Sequence, residues 1–102
     1  MSRSFTLVPF HAAESLTAKQ AATVAGKSQR TVIRWCVEHG IGRRIAGGDW
    51  AVSKVALTML LDDDMDSLAS YRDGARGHYE PVAKYFHRLG LGDLLGLPEF
   101  SL

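Results

Sequence analysis

Between Ser28 and Arg34 the chain reads Ser-Gln-Arg-Thr-Val-Ile-Arg, the stretch of this sequence best equipped to recognise another molecule. An arginine can bond a guanine bidentately, a glutamine can pair with an adenine edge, and an apolar group such as Ile33 can pack on a thymine methyl. The hydroxyls of Ser28 and Thr31, together with the free amides of a helix N-terminus, can hold a phosphate. At about 100° per residue, Arg30, Ile33, Arg34 and Val37 fall on one side of a helix, and Val32, Trp35, Cys36 and His39 on the other. The second set is the candidate core. The first mixes charge with apolar side chains, which a merely solvated face does not need. Arginines on an arbitrary helix are ordinarily solvated, so the reading depends on the elements around them.

Those elements are densely punctuated. Thr17 with Gln20 forms a capping-box pattern and opens a helix that runs through Ala25 and stops at Gly26. Ser28 is the next N-cap, and a second helix runs to about His39 before Gly40. Two helices joined by Gly26-Lys27-Ser28 make a helix-turn-helix signature. Gly47-Gly48 then lies between short runs carrying Ile45, Trp50 and Val52 as inward candidates, which predicts a tight β-hairpin with its tip at the two glycines. Ser53 caps a third helix with Val55, Leu57, Leu60 and Leu61, closed by the solvated run Asp62-Asp63-Asp64. The fold class is therefore mainly α with a small β-hairpin: a winged helix-turn-helix plus a C-terminal helical extension.

Three segments follow. Residues 1–15, with Phe5, Leu7 and Pro9, form an N-terminal arm or short strand. Residues 16–64 form the winged helix-turn-helix domain. Residues 65–102 add a short helix at Ser67–Arg72, an amphipathic helix at Pro81–Leu89 with Val82, Tyr85, Phe86 and Leu89 on one stripe, and a Leu- and Gly-rich tail.

The formal net charge of +1 on 102 residues hides a division. Residues 1–54 hold eight basic and three acidic side chains, a balance of +5; residues 55–102 hold four basic and eight acidic, a balance of −4. A basic half suits a polyanionic partner, since phosphate neutralisation supplies most non-specific nucleic-acid affinity. Arg43 and Arg44 enter the hairpin, and Gly47 and Gly48 let its backbone approach a phosphate or the minor groove. The same features also serve an ordinary hairpin, as turn glycines and as edge charges that block aggregation. Thr17, Lys19 and Lys27 are further candidate phosphate contacts.

Other classes are disfavoured. The lone Cys36 forms no internal disulfide, and His11, His39, His78 and His87 lack metal-ligand spacing. The chain carries no phosphate loop, GxSxG elbow or HExxH motif, so no catalytic residue, cofactor or metal is expected. Its most apolar stretch, Val52 to Leu61, is about half the length of a membrane span. The N-terminus lacks the unbroken apolar core of a signal peptide. A cytoplasmic protein without membrane contact is the expectation.

The stretch from Leu16 to Leu57 resembles the excisionase-like, MerR-type winged-helix family. Leu16-Thr17, Ala21-Ala22, Gly26, Ser28, Arg30-Thr31-Val32, Arg34-Trp35, Gly40, Gly47-Gly48, Trp50 and Leu57 carry the resemblance, which covers somewhat under half of the chain. It departs from the family pattern at Lys27, Ile33 and Asp49. The resemblance implies contacts to double-stranded DNA from Ser28, Gln29, Arg30, Thr31 and Arg34 on the recognition helix, and from Arg43, Arg44 and Gly48 in the wing. It further implies a recombination directionality factor that binds adjacent sites cooperatively, bends DNA and promotes excision by an integrase, either a tyrosine or a serine recombinase.

Two roles are open for residues 65–102. Their acidic surface can meet the basic half of a neighbouring protomer in a head-to-tail array on DNA, or they can pack back on a thin winged-helix core. On the first view, removing residues 65–102 impairs cooperativity before site contact. The alternatives in function are a small transcriptional regulator at an operator, and a protein–protein adaptor that docks through its C-terminal helix.

Overall fold

Thr17 ends one element and begins the next. In the computed structural model, which describes residues 4–95, it closes strand β1 (Ser15–Thr17) and caps helix α1 (Ala18–Ala25). Its hydroxyl accepts from the Gln20 amide at 3.0 Å, and Gln20 Oε1 accepts from the Thr17 amide at 2.9 Å, completing the expected capping box. Gly26 takes the left-handed conformation at φ +68°, and the Lys27 amide donates back to the Ala22 carbonyl at 3.0 Å. Ser28 then caps α2 (Gln29–His39), which ends at Gly40, also at φ +68°. Strands β2 (Gly42–Arg44) and β3 (Trp50–Ser53) follow, and Ser53 repeats the device of Thr17 by ending β3 and capping α3 (Lys54–Leu61). Helices α4 (Met65–Arg72) and α5 (Glu80–Arg88) complete the helical set. Replacing such a cap by alanine costs about 0.5–2 kcal/mol.

The sheet is antiparallel with order β1-β3-β2. Leu16 and Gly42 both pair with Val52, so β3 is the central strand and β1 the partner that the hairpin pattern did not reveal. The protein is thus mainly helical with a small three-stranded antiparallel sheet, an arrangement compatible with a winged helix. At Gly42 only glycine fits: a Cβ would stand 2.5 Å from the Ala51 carbonyl oxygen and 2.7 Å from Cys36 Sγ. That close approach seats the hairpin against α2.

One hydrophobic cluster runs through both halves of the chain. Ala21, Val32, Cys36, Ile41, Val52, Val55 and Leu57 pack with Leu68, Tyr71, Val82, Tyr85, Phe86 and Leu91. Residues 65–95 therefore pack back on the rest. The deletion of residues 65–102 considered above would open this core; burying each such large side chain is worth about 1.5–3 kcal/mol. It would not leave site contact intact.

Of the two readings open for the N-terminal segment, residues 4–11 take the arm, with Thr6 and Leu7 buried, followed by a 3-10 turn at Ala12–Glu14. Elsewhere the structure departs from the sequence reading in two places. The hairpin turn lies one residue earlier than its glycines suggest, because Ala46 and Gly47 are the residues at positive φ, and the Gly48 amide closes the turn onto the Ile45 carbonyl at 2.8 Å. The aspartate run is not simply solvated. Asp64 caps α4 through the Ser67 amide, and Asp62 and Asp64 both accept from the Tyr85 hydroxyl at 3.1 and 3.0 Å. The amphipathic helix buries Val82, Tyr85 and Phe86 as its stripe requires. The tail beyond Leu95 lies outside the described residues.

Beneath the sheet sits a polar network. Glu14 is fully buried; it accepts from the Tyr71 hydroxyl, from Ser53 and from Arg76, whose guanidinium is 3.2 Å away. The Tyr71 hydroxyl also accepts from the Leu7 amide at 3.0 Å, and Arg76 donates to the Val8 carbonyl at 2.9 Å. The arm, the β3–α3 junction and α4 are joined through one carboxylate.

Candidate nucleic-acid interface

Three elements meet at an open cleft of about 450 Å³. The start of α1 contributes Thr17, Ala18 and Lys19; α2 contributes Gln29 and Ile33; the hairpin contributes Arg44, Gly48, Asp49 and Trp50. Gln29 and Ile33 are four residues apart, so they stack on one face of α2. Their burial partners, Val32 and Cys36, face the core, which fixes the rotation of the helix.

Of the residues singled out from sequence, Thr17, Lys19, Gln29, Ile33, Arg44 and Gly48 line the cleft. Arg30 and Arg34 do not; they form a neighbouring stack on α2, about 100° round from Ile33 in the case of Arg34, and both are exposed. Lys27, Ser28, Thr31, Arg43 and Gly47 also lie outside its lining. Ser28 is already occupied: its hydroxyl accepts from the Thr31 amide at 3.1 Å and bonds the Thr31 hydroxyl at 3.0 Å. These hydroxyls shape the first turn of α2.

The positive charge is unevenly held. Arg44 folds back on its own hairpin, donating from Nε to the Gly48 carbonyl at 2.9 Å and from Nη2 to the Gly47 carbonyl at 3.0 Å. It braces the turn while keeping its charge at the cleft. Arg34 lies 3.8 Å from Glu38 in an exposed pair one turn along the helix, an interaction worth only about 0.3–0.5 kcal/mol. Among the described residues Lys19, Lys27, Arg30 and Arg43 make no ion pair. Asp49 sets one negative charge inside the cleft.

Trp50, expected to point inward, is partly buried against the core and also lines the cleft, paired across the sheet with Arg44. Trp50 and Val52 lie on the same face of β3, with Val52 the deeper of the two. Cys36 has no chemistry to offer here. Burial pushes its thiol up to about 11, and it packs against Gly42.

Comparison with family models, curated proteins and solved structures finds no match for this chain.

The arrangement joins cationic groups on two sides of a concavity with an amide side chain and an aliphatic group in its wall. Such a surface can neutralise a phosphate backbone while presenting Gln29 and Ile33 to whatever that backbone carries. Among the described residues no helix is long and apolar enough to cross a membrane.

Proposed function

We propose that this chain is a winged helix-turn-helix protein that binds double-stranded DNA, with α2 as recognition helix and the β2–β3 hairpin as wing. One observation carries the reading: Lys19, Gln29, Ile33, Arg44 and Gly48, drawn from three separate elements, line a single cleft. Arg30, which makes no ion pair among the described residues, adds charge on the same helix. Selection from a random duplex pool tests this. Enrichment of a defined site supports it; uniform binding to every duplex, or none, overturns it.

Within DNA binding, the role proposed is that of a recombination directionality factor that occupies adjacent sites, bends the DNA and promotes integrase-driven excision. The resemblance of Leu16 to Leu57 supports it. So do the short helices beyond α3, of eight and nine residues, which do not form the long dimerising coiled coil of MerR-type activators. Head-to-tail association on DNA is part of this proposal. Asp63, Asp66, Asp73 and Glu80 are exposed and make no ion pair among the described residues, so their charge is free to meet a neighbour's basic face. An excision assay with a recombinase encoded beside this chain reads the outcome; excision unchanged by the protein, with DNA binding intact, moves the role to that of an operator-binding regulator.

A further inference from the structure

Among the described residues that line the cleft, Asp49 is the one whose charge opposes Lys19 and Arg44. Its side chain is exposed, and its carboxylate makes no ion pair among the described residues. Arg44, in the same cleft, turns its guanidinium to the Gly48 and Gly47 carbonyls at 2.9 and 3.0 Å instead. The backbone of Asp49 is held in the hairpin, its carbonyl accepting from the Ile45 amide at 3.3 Å. A surface that only gathers phosphates gains nothing from such a group, because like charges brought together in an interface cost binding.

We infer that Asp49 selects a cytosine in the bound duplex, its carboxylate accepting from the cytosine N4 amino group in the major groove. The inference rests on the DNA-binding reading above and adds the identity of one base pair in the site.

The chemistry of the duplex leads to that amino group. A carboxylate accepts hydrogen bonds and donates none. The phosphates and sugars along a DNA duplex also only accept, so nothing on the backbone can partner it. The donors that the grooves expose are exocyclic amino groups: adenine N6 and cytosine N4 in the major groove, guanine N2 in the minor groove. Adenine N6 stands between two acceptors, its own N7 and the O4 of the paired thymine. Guanine N2 stands likewise between its own N3 and the O2 of the paired cytosine. Cytosine N4 has an acceptor, guanine O6, on one side and a carbon–hydrogen edge on the other. A carboxylate therefore reaches it without meeting a second lone pair. Gln29 and Ile33 share the cleft with Asp49 and belong to the proposed recognition helix, so the same groove edges face all three.

Selection from a random duplex pool, run on the wild-type chain and on Asp49→Ala and Asp49→Asn, tests it. The wild-type chain is expected to enrich a site with one position fixed as cytosine. Asp49→Ala loses that preference, a change of about tenfold in relative affinity, while binding other duplexes more tightly. Asp49→Asn moves the preference to adenine, whose N6 and N7 suit an amide. A second arm uses the wild-type chain and so does not depend on a variant folding. N4-methylcytosine at that position, with a methyl group in place of the exposed N–H, weakens binding by a similar factor; inosine in place of the paired guanine, which removes only the N2 amino group, does not. A site enriched identically by all three proteins overturns the inference alone and leaves Asp49 as a charge that weakens binding to every sequence. A loss with inosine but not with N4-methylcytosine also overturns it. A wild-type chain that enriches no site ends the DNA-binding reading and the inference with it.

Discussion

The Tyr71 hydroxyl donates to Oε2 of Glu14 across 57 residues of sequence, and both side chains are buried. Through this bond the polar network fixes the N-terminal arm to α4, and through Ser53 it reaches the strand that carries the hairpin. A buried carboxylate is tolerable only while its partners remain.

Removing one partner should therefore be costly. Arg76→Ala, which strips Glu14 of its counter-charge, is expected to destabilise the fold by about 3–5 kcal/mol in urea unfolding. Tyr71→Phe leaves the Leu7 amide and Glu14 short of a hydrogen bond and is expected to cost about 1–3 kcal/mol. The two losses should fall short of additivity, since both act on Glu14.

Stability should decline on the alkaline side. Burial raises the Cys36 thiol from 9.0 to about 11, and burial, with the charge of Glu14, raises the Tyr71 phenol above its ordinary 10.0. The unfolded chain then releases these protons before the folded chain does, so rising pH favours unfolding. The loss begins near pH 9, where the unfolded thiol ionises, and steepens above pH 10 as the unfolded tyrosine follows. Denaturant midpoints measured from pH 7 to 11 check this, and Cys36→Ala should remove the earlier part of the slope.

The hairpin turn carries a residue that geometry does not favour. Ala46 sits at φ +53°, ahead of Gly47 at φ +74°, both positive as a type I′ turn requires. Ala46→Asn creates the preferred Asn-Gly pair and is expected to raise stability by about 0.5–1 kcal/mol, read as a higher Tm. Arg44→Ala should act in the opposite direction, since the Gly47 and Gly48 carbonyls lose their donor.

On a defined duplex, the two stacks of α2 should behave differently. Arg30→Ala is expected to weaken binding to all sequences and to lower the slope of log K against log salt by about 1. Gln29→Ala is expected to cost about 1–3 kcal/mol and to relax preference at one base position, with the salt slope unchanged. Competition titrations at several salt concentrations separate the two.

Cooperativity is best probed on the surface, because residues 65–95 belong to the core. Asp63→Lys together with Asp66→Lys should leave single-site affinity within a small factor and abolish the gain seen on adjacent repeated sites. Equal cooperativity in the double variant would remove the acidic face from the contact.

Helix boundaries were legible because they rest on local chemistry. Thr17 with Gln20, Gly26, Ser28, Gly40 and Ser53 each act within a few residues of sequence, and the structure uses each as its type suggests. The cleft was legible only in part: Thr17, Lys19, Gln29, Ile33, Arg44 and Gly48 line it, whereas Arg30 and Arg34, central to the sequence reading, lie outside it. What stayed hidden depends on distant partners. Glu14 and Leu7 lie in a segment without periodicity, and only Tyr71 and Arg76, far along the chain, explain their burial. The aspartate run hid its second use in the same way, since Tyr85 comes more than twenty residues after Asp62. The hairpin tip was misplaced by one residue because two adjacent glycines drew attention from Ala46.

Strands β1 and β3 pass into α1 and α3 without an intervening loop, Thr17 and Ser53 each serving as last strand residue and helix cap, and the two strands are paired side by side. Length variation is thereby forbidden at these two joints. One extra residue between Thr17 and Ala18, or between Ser53 and Lys54, would swing the following helix by about 100° and turn its apolar face outward. Among the described residues, the exposed hairpin turn has room for an insertion. Descendants of this chain can change what the cleft touches by lengthening the hairpin, while the distance and angle between α1 and the sheet stay inherited.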